Sequence, residues 1–284
     1  DDGELDWLAE DVLASAKYRT VSPALVRALA AEELGKRSKR KDALKAVKNR
    51  LHQVAAAYLD AAPQYDAWLE DLSAAVDDAE RLRAVCAGIL ARHVSTRERM
   101  PILAQFYRDL FAGLPPAPRI ADMGCGFNPL ALPWMGLPAG ASYYACDVFV
   151  DQAAFLNRCF PLLSVDGRAE VCDLVHAPAC PDADVVLLLK TLPNLEQMDR
   201  QAGRRLLDAL DAPLLIISYP AHSLGGRRKG MPDHYAARFE ALTRPDLQPP
   251  DGAWAIRLAV DEKARTLTVS DNGIGMNGAD LDEH

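Results

Sequence analysis

The strongest constraint on the fold of this 284-residue chain is a series of five short apolar runs separated by helical stretches. The runs cover residues 119–123, 142–146, 169–172, 184–189 and 214–218. Strand-sized apolar runs that alternate with helices are typical of a parallel sheet covered on both faces. The sequence therefore predicts an α/β fold in which residues 119–250 form a Rossmann-like domain with a mostly parallel sheet.

The residues before and after this domain have a different character. Residues 5–110 are rich in Ala, Leu, Glu, Lys and Arg, and their apolar positions recur at intervals of three and four, which predicts five or six helices. A proline-rich linker follows at 114–118. We therefore expect an all-α module over 1–112 and, after Pro249-Pro250, an atypical tail over 251–284 that contains a β-hairpin and a flexible end.

The first strand of the predicted sheet ends in an acid and a Gly-x-Gly turn, formed by Asp122, Gly124 and Gly126. Glycines at a strand-to-helix turn let the backbone approach a ligand closely. The next two strands also end in acids, Asp147 and Asp173, and an acid after the second strand typically binds a ribose diol. All of these positions fall at the carboxyl edge of the sheet, where α/β proteins bind ligands.

Two cofactor classes compete for this edge, a dinucleotide and S-adenosylmethionine (SAM). The dinucleotide fingerprint requires a third glycine three residues on, where this chain has Pro129. Asp122 would also repel a pyrophosphate, whereas it suits the ammonium group of a methionine moiety. The residues therefore favour SAM as the cofactor, and they predict no metal site.

The residues that follow the fourth strand indicate which kind of substrate atom accepts the methyl group. It ends in Lys190-Thr191-Leu192-Pro193 and lacks the Asn/Asp-Pro-Pro-Tyr/Phe motif of amino-group methyltransferases. Neither Cys125 nor Cys180 has an obvious partner base that would activate it as a nucleophile. A substrate atom with a free lone pair, such as guanine N7, needs positioning rather than a general base. We expect no general base, with Asn128 and Lys190 as candidate positioning residues.

The formal charge of −8 is unevenly distributed along the chain. Residues 1–11 contribute −6 and residues 245–284 contribute −5, so the remainder carries +3. Its bases gather in two clusters, which indicates phosphate binding and favours folded RNA as the partner. The candidate RNA-binding residues are Lys36, Arg37, Lys39, Arg40, Lys41, Lys45 and Lys48 in the first cluster, and Arg227, Arg228 and Lys229 in the second.

The six cysteines and the apolar runs bear on the cellular compartment. No cysteine pair has Cys-x-x-Cys spacing, and the density is far below that of a disulfide scaffold, so we expect reduced, buried thiols. No apolar run approaches the roughly 18 residues of a membrane span. The sequence predicts a cytoplasmic protein with no membrane association and no obligate protein partner.

Several motifs together resemble the aminoglycoside-resistance 16S rRNA methyltransferases, the Arm family. The matching stretches are Ser15-Ala16-Lys17-Tyr18-Arg19, Leu51-His52, His93-Val94-Ser95-Thr96-Arg97-Glu98-Arg99, Gly124-Cys125-Gly126-Phe127-Asn128-Pro129-Leu130, Leu189-Lys190-Thr191-Leu192-Pro193, Ser223-Leu224-Gly225-Gly226 and Lys229-Gly230-Met231. The resemblance covers roughly residues 12–243.

The resemblance implies a SAM-dependent enzyme that methylates N7 of a decoding-site guanine, nucleotide 1405 of 16S rRNA, in the assembled 30S subunit. It further implies aminoglycoside resistance, a helical module that binds rRNA and a target base that is flipped out of its stack. Arg99 would hold the cofactor carboxylate. The cofactor-binding residues expected from the resemblance and from the strand ends are Tyr58, His93, Val94, Ser95, Arg99, Asp122, Gly124, Gly126, Asp147, Asp173, Leu174 and Leu189.

Two departures from the family pattern affect the C-terminal part. Ala221-His222 stand where the family has Thr followed by Lys or Arg, and the family's closing strand is missing. Residues 253–283 instead resemble a fragment of the Hsp90-like ATPase domain, too short to hydrolyse ATP. The alternatives are a non-catalytic ribosome- or RNA-binding protein with a degenerate methyltransferase fold, and a small-molecule methyltransferase with a helical lid.

Overall fold

The structure is a computed structural model that describes residues 2–55, 62–97, 99–111, 114, 116–219, 257–261 and 266–271. The described α-helices are α1 (Asp2–Ala14), α2 (Pro23–Lys36), α3 (Arg40–Ala55), α4 (Tyr65–Ser73), α5 (Ala79–Leu90), α6 (Val94–Arg97), α7 (Leu103–Leu110), α8 (Leu132–Met135), α9 (Val150–Leu162), α10 (Thr191–Met198) and α11 (Ala202–Ala209). Short 3₁₀ turns cover Met100–Ile102 and Asn128–Ala131. The strands are β1 (Arg119–Met123), β2 (Ser142–Asp147), β3 (Asp166–Val171), β4 (Val185–Leu189), β5 (Leu214–Tyr219), β6 (Arg257–Asp261) and β7 (Thr266–Asp271).

The strands form one sheet in the order β3-β2-β1-β4-β5-β7-β6. The pairings from β3 to β5 are all parallel, which confirms the predicted α/β fold with a mostly parallel sheet. The strand order reverses next to β1, between β2 on one side and β4 on the other. In open α/β sheets this switch point opens a crevice at the carboxyl ends of the strands.

Alternating residues of β1 face different cores. Ala121 and Met123 belong to the same buried cluster as Leu8, Leu25 and Leu51 of α1, α2 and α3. The opposite face of the sheet packs against α4, α5, α7 and α9. The first three helices therefore share one continuous core with the sheet, and residue 112 as the limit of the helical module stays a prediction.

The last two strands close the sheet in the antiparallel sense. β7 pairs with β5 from Leu215↔Asp271 to Tyr219↔Leu267, and β6 pairs with β7 on its outer side. An antiparallel pair was expected within the tail. The structure assigns its inner strand, β7, to the open edge of β5.

The cysteine prediction needs one correction. Cys146 and Cys172 form a disulfide, whereas Cys86, Cys125, Cys159 and Cys180 are free. Cys146 lies near the end of β2 and Cys172 directly follows β3, so parallel pairing of these strands brings their Cα atoms to 5.8 Å. The separation of 26 residues gave no sign of this proximity.

Within the described helices, none is long and apolar enough to cross a membrane. Among all the residues that the structure describes, no group of three or more His, Cys, Asp or Glu side chains is arranged to hold a metal ion.

Candidate functional site

A cavity lies at the carboxyl edge of the sheet, at the switch point beside β1. Of the predicted site residues, eight line it: His93, Arg99, Gly124, Gly126, Asp147, Leu174, Leu189 and Lys190. His93 precedes α6 and Arg99 follows it, and the other six come from the ends of β1, β2, β3 and β4 or the turns directly after them. The topology therefore brings together residues that are nearly 100 positions apart in the sequence.

The glycine turn after β1 forms one wall of the cavity. Gly124 has φ +73° and Gly126 has φ +51°, a region that favours glycine. A Cβ atom on Gly124 would lie 2.8 Å from Cγ2 of Thr191, and one on Gly126 would lie 3.2 Å from Cε1 of His93. The backbone N–H groups of Gly124 and Cys125 both donate to the carbonyl oxygen of Cys146, which fixes the turn on β2.

Asp147 holds the glycine turn from the end of β2. Its Oδ2 atom accepts a hydrogen bond from the Gly126 N–H at 2.7 Å, and its Oδ1 atom accepts one from the Val148 N–H at 2.7 Å. Burial raises the pKa of Asp147, and these two N–H groups oppose the rise. Each oxygen keeps a further lone pair, so the carboxylate can accept a hydrogen bond from a ribose hydroxyl as well.

Arg99 is a buried cation in the cavity wall, only 3% exposed. Its Nη2 atom donates to Asn128 Oδ1 at 3.2 Å. Its Nε and Nη1 atoms have no hydrogen-bond partner among the described residues. A buried guanidinium with donors to spare matches a carboxylate, since the second hydrogen of Nη2 lies parallel to one on Nε or on Nη1 and such a pair can bind both carboxylate oxygens.

Behind Arg99 lies a buried polar network that includes Asn128, the first candidate positioning residue. Asn128 is 1% exposed; its Oδ1 atom also accepts from the Tyr107 hydroxyl, and its Nδ2 atom donates to Asp122 Oδ2 at 2.8 Å. The Tyr143 hydroxyl donates to the same Asp122 oxygen at 2.7 Å. Asn128 therefore orients Arg99 from behind, with its amide engaged on both sides, and does not line the cavity.

Asp122 is 1% exposed and belongs to the same network. Asn128 lies between Asp122 and Arg99 of the cavity wall. Burial raises its pKa to about 6, although the hydrogen bonds from Tyr143 and Asn128 act in the opposite direction. The expected contact between Asp122 and the cofactor ammonium group stays a prediction, because this carboxylate is not among the residues that line the cavity.

Lys190 and His93 bring two further nitrogen-bearing side chains to the cavity. Lys190 directly follows β4, is 6% exposed and has φ +62°, an uncommon conformation for a residue other than glycine. Its N–H group donates to the carbonyl oxygen of Ser218 at 2.9 Å, which anchors it to β5. Burial lowers the pKa of His93 to about 4, with further contributions from the charges of Arg99 and Lys190, so its imidazole is neutral at pH 7.

Asp173 has a different place from the other two strand-end acids. Its Oδ1 atom accepts hydrogen bonds from the N–H groups of Val175 and His176, so it closes the turn after β3. Leu174 and Val175 of that turn line the cavity, whereas Asp173 does not. The expected direct contact of Asp173 with the cofactor stays a prediction.

The first basic cluster divides into paired and unpaired side chains. Lys36 and Arg37 form ion pairs with acids of α2, Arg40 with Glu4, and Lys48 with Asp11. Lys39, Lys41 and Lys45 form no ion pair within the described part of the chain. The acids of α1 and α2 therefore neutralise four of the seven candidate RNA-binding residues of this cluster.

Some predicted residues lie where the structure gives no side-chain position. Tyr58, Arg227, Arg228 and Lys229 are outside the described residues, and Val94 and Ser95 are described only as part of the backbone of α6. Sequence reasoning also missed three polar residues of the cavity wall, Thr191, Gln152 and Asn194. Thr191 donates to the carbonyl oxygen of Met123 at 2.8 Å, and Gln152 donates to that of Gly126 at 2.8 Å. Thr191 belongs to the quoted Leu-Lys-Thr-Leu-Pro motif, but nothing in the sequence marked Gln152.

Comparisons with known proteins agree on one family. The profile described as "Ribosomal RNA methyltransferase (FmrO)" matches residues 14–246. The 16S rRNA (guanine(1405)-N(7))-methyltransferase of Frankia casuarinae is 43% identical over 242 residues, which cover 84% of this chain and 85% of that protein. The enzyme of the same description from Micromonospora echinospora is 39% identical over 244 residues, 84% of this chain and 89% of that protein.

Solved structures extend the likeness to the fold, and a separate match concerns a short segment. The 16S rRNA methyltransferase RmtF in complex with S-adenosyl-L-homocysteine has a TM-score of 0.75 and 29% identity, covering 94% of this chain and 97% of that one. The chaperone protein HtpG of Roseobacter denitrificans is 64% identical over 44 residues only, 16% of this chain and 7% of that protein. Since the family profile spans most of the chain, the chain belongs to the ribosomal RNA methyltransferase family described as FmrO.

Proposed function

We propose that the chain is a SAM-dependent methyltransferase that modifies N7 of guanine 1405 in 16S rRNA and thereby confers aminoglycoside resistance. The observation that carries this function is the likeness, over 84% of the chain, to enzymes described as acting on that nucleotide. The cavity supports it, because a buried Arg99 and the Asp147-bound glycine turn stand at the switch point of the sheet.

The residues of the cavity fit SAM. Arg99 would hold the cofactor carboxylate, since it is a buried cation with two donors to spare in the described structure. Asp147 would accept hydrogen bonds from the ribose, and the glycine turn leaves room for close approach. Leu174 and Leu189 would supply apolar surface, while Tyr58, His93, Val94 and Ser95 are proposed contacts on the strength of the resemblance. When bound, SAM supplies a methyl group on a sulfonium centre.

Methylation of guanine N7 requires the protein to position the base and the cofactor, and it requires no proton transfer to a side chain. Guanine N7 carries no proton, so its lone pair can attack in line and no side chain has to act as a base. His93 is neutral at pH 7, and the buried amide of Asn128 keeps Arg99 oriented. Lys190, held at the wall by its bond to Ser218, is the proposed residue for positioning the target base.

We infer that the physiological partner is 16S rRNA within the assembled 30S subunit, and that the chain binds it in the cytoplasm. Lys39, Lys41 and Lys45 are the described bases of the first cluster without an ion pair, and they are the strongest candidates for phosphate contacts. Arg227, Arg228 and Lys229 form the second proposed contact. A base that reacts at N7 inside a protein cavity must leave its stack, so the target guanine is expected to be flipped out.

The test of this function is methylation of purified 30S subunits with labelled SAM, followed by mapping of the modified nucleotide. We expect label at guanine 1405 with the natural chain and strongly reduced label with Asp147→Ala. Arg108→Lys, an exposed change on α7, serves as the matched control. Intact subunits that bind the chain without becoming methylated would instead support the non-catalytic alternative.

The tail calls for a separate proposal. We propose that the segment similar to HtpG has a structural role here, because β7 pairs with the edge of β5 over five residues. An unpaired edge of a buried strand is prone to association with other chains. Deletion of residues 251–284 is therefore expected to lower the thermal midpoint and to increase aggregation, measured by scanning calorimetry and light scattering. Unchanged values for the truncated chain would contradict this role.

A further inference from the structure

One charged cluster lies between the helical module and the cavity. His176 lies in the turn after β3, and Glu32 lies near the end of α2. The Nδ1 atom of His176 is 2.7 Å from Asp173 Oδ2, and its Nε2 atom is 2.7 Å from Glu32 Oε1. Carboxylate oxygens only accept hydrogen bonds, so only the doubly protonated imidazolium can satisfy both contacts.

The turn that His176 holds is part of the cavity wall. Asp173 Oδ1 accepts from the N–H groups of Val175 at 2.9 Å and of His176 at 3.1 Å, so the carboxylate determines the path of the backbone. Leu174 and Val175, which lie between the two ends of this small ring, line the cavity. Any movement of the Asp173–His176 pair therefore moves the surface that the proposed cofactor would contact.

Glu32 connects the same cluster to a second point on the cavity. Its Oε2 atom accepts from Arg50 Nη1 at 2.7 Å, and Arg50 Nη2 donates to the carbonyl oxygen of Met198 at 3.0 Å. Met198 ends α10 and lines the cavity. Glu32 of α2 thus contacts both His176 and Arg50, and each of these side chains reaches a different part of the cavity wall. Leu25 of α2 lines the cavity itself.

We infer that His176 is a positioning residue: as an imidazolium it ties Glu32 of α2 to the Asp173 turn, and this tie sets the affinity of the cavity for the cofactor. The inference rests on the proposed function, since it takes SAM as the ligand of the cavity. It assigns a role in cofactor binding to a residue outside the motifs that suggested the family.

The charges around His176 keep the imidazolium form stable. The hydrogen bond to Asp173 raises the pKa of His176, and Glu32 adds to the rise against the effect of burial. Burial alone would raise the pKa of Glu32, but the hydrogen bonds from Arg50, His176 and Lys36 outweigh it and hold the pKa at about 2. On the far side of the turn, Arg205 of α11 donates to the carbonyl oxygen of Val175 at 2.7 Å and to Asp199 at 2.6 Å.

The sign of the pH dependence follows from these contacts. Because the pKa of His176 lies above its usual value, the tie is present at low pH and is lost as the pH rises through the pKa in the folded protein. Glu32 stays ionised across that range. The affinity of the cavity for SAM should therefore contain a component that disappears on the alkaline side.

The test is a calorimetric titration of the full chain with SAM at pH 6 and pH 9. We compare the natural chain with His176→Gln, with Glu32→Gln and with Arg204→Gln, a matched control that breaks only an exposed ion pair with Asp208 on α11. SAM has its own titratable amino group, so the quantity of interest is the ratio of variant to natural dissociation constants at each pH. That ratio cancels the titration of the ligand.

We expect His176→Gln to raise the dissociation constant at least about five-fold at pH 6, the lower end of coupling between sites. The ratio should be smaller at pH 9 than at pH 6, because the natural chain also loses the tie as the pH rises through the pKa of His176. Glu32→Gln should give a smaller effect in the same direction, and it carries the test if His176→Gln does not fold. Arg204→Gln should leave the ratio at one.

Two outcomes would overturn the inference. One is a ratio near one at pH 6 for both His176→Gln and Glu32→Gln. The other is a raised ratio that is the same at pH 6 and pH 9, accompanied by a lowered thermal midpoint, because that combination indicates a purely structural role. A natural chain that binds SAM with the expected pH dependence but does not methylate 30S subunits would overturn the proposed function and leave this inference standing.

Discussion

The cavity at the sheet edge and the basic cluster at residues 36–48 are both rich in charged side chains, but they use them in opposite ways. Arg99 in the cavity wall and Asp122 behind it are almost fully buried, and Asn128 connects them by hydrogen bonds. In the basic cluster, the side chains are exposed or half-buried, and four of seven form ion pairs with acids of α1 and α2.

Buried and exposed charges support different inferences about ligands. A buried charge needs a partner, because desolvation without one costs several kcal/mol, so an unpaired donor on Arg99 points to a ligand. An exposed ion pair contributes only about 0–1 kcal/mol and needs no ligand at all. Unpaired donors are therefore informative in the cavity, whereas in the basic cluster the informative residues are the bases that lack a structural acid.

The largest expected effect concerns Arg99, and it tests the cavity side of the comparison. Arg99→Lys keeps the charge but removes the two-pronged donor, so we expect SAM affinity to fall about 100-fold, because truncation of one member of a buried charge pair costs about 2–5 kcal/mol. Isothermal titration calorimetry with SAM measures the change. Arg108→Lys, an exposed site on α7, is the control and should bind SAM as the natural chain does.

An Arg99→Lys variant with unchanged affinity would contradict the role assigned to the buried guanidinium. It would mean that the two donors without partners in the described structure do not hold the cofactor carboxylate. Thermal unfolding of the same variant is measured alongside, to test whether the network of Asn128 with Tyr107 and Asp122 stays intact. A lower affinity in a variant that unfolds at the natural temperature is the expected result.

Much of the cavity could be predicted because the topology of a parallel sheet determines it. Once β1 and β2 are placed, Gly124, Gly126 and Asp147 must meet at the carboxyl edge, whatever the rest of the chain does. The start of α2 also follows from local sequence, because serine is a preferred N-cap and proline a preferred first helical residue. In the structure the Ser22 Oγ atom accepts from the Leu25 N–H, and Pro23 is the first helical residue.

The rest depended on contacts between distant segments. Asn128 reaches Asp122 from the turn after β1, but the hydroxyl of Tyr143 becomes a neighbour of Asp122 only when β2 pairs with β1. The ion pair of Lys48 with Asp11 likewise requires α1 to pack on α3. Composition gives the number of charges but not which acid contacts which base. In the same way, Asp122, Asp147 and Asp173 look alike as strand-end acids in the sequence but have three different surroundings in the structure.

The second prediction concerns the basic cluster and compares neighbouring lysines of α3. Lys41→Gln combined with Lys45→Gln is expected to weaken binding to 30S subunits by about ten-fold and to reduce the salt dependence, by about one unit of slope for each phosphate that is no longer neutralised. Lys48→Gln breaks the pair with Asp11 and should leave the slope unchanged. Binding is measured by filter retention at several salt concentrations.

Equal reductions of slope in both variants would erase the distinction between paired and unpaired bases. That outcome would mean that rRNA displaces Asp11 from Lys48 on docking, so that the ion pairs of the free protein do not predict the contacts in the complex. A change of slope in Lys48→Gln alone would mean that the paired lysine, and not the unpaired ones, contacts phosphate. We therefore expect the slope to fall more in Lys41→Gln/Lys45→Gln than in Lys48→Gln.

The prediction with the smallest effect tests whether burial in the cavity wall keeps the imidazole of His93 neutral. Its pKa of about 4 lies below the usual 6.5, so the neutral imidazole contributes stability that is present above pH 6.5 and is lost as the pH falls toward 4. Between pH 7.5 and pH 5, the difference in free energy of unfolding between the natural chain and His93→Gln should shift by about 1 kcal/mol, after allowance for the partial exposure of the ring. Urea unfolding of both proteins at the two pH values measures this shift. If the difference in free energy of unfolding stays the same at both pH values, the cavity does not suppress ionisation of His93.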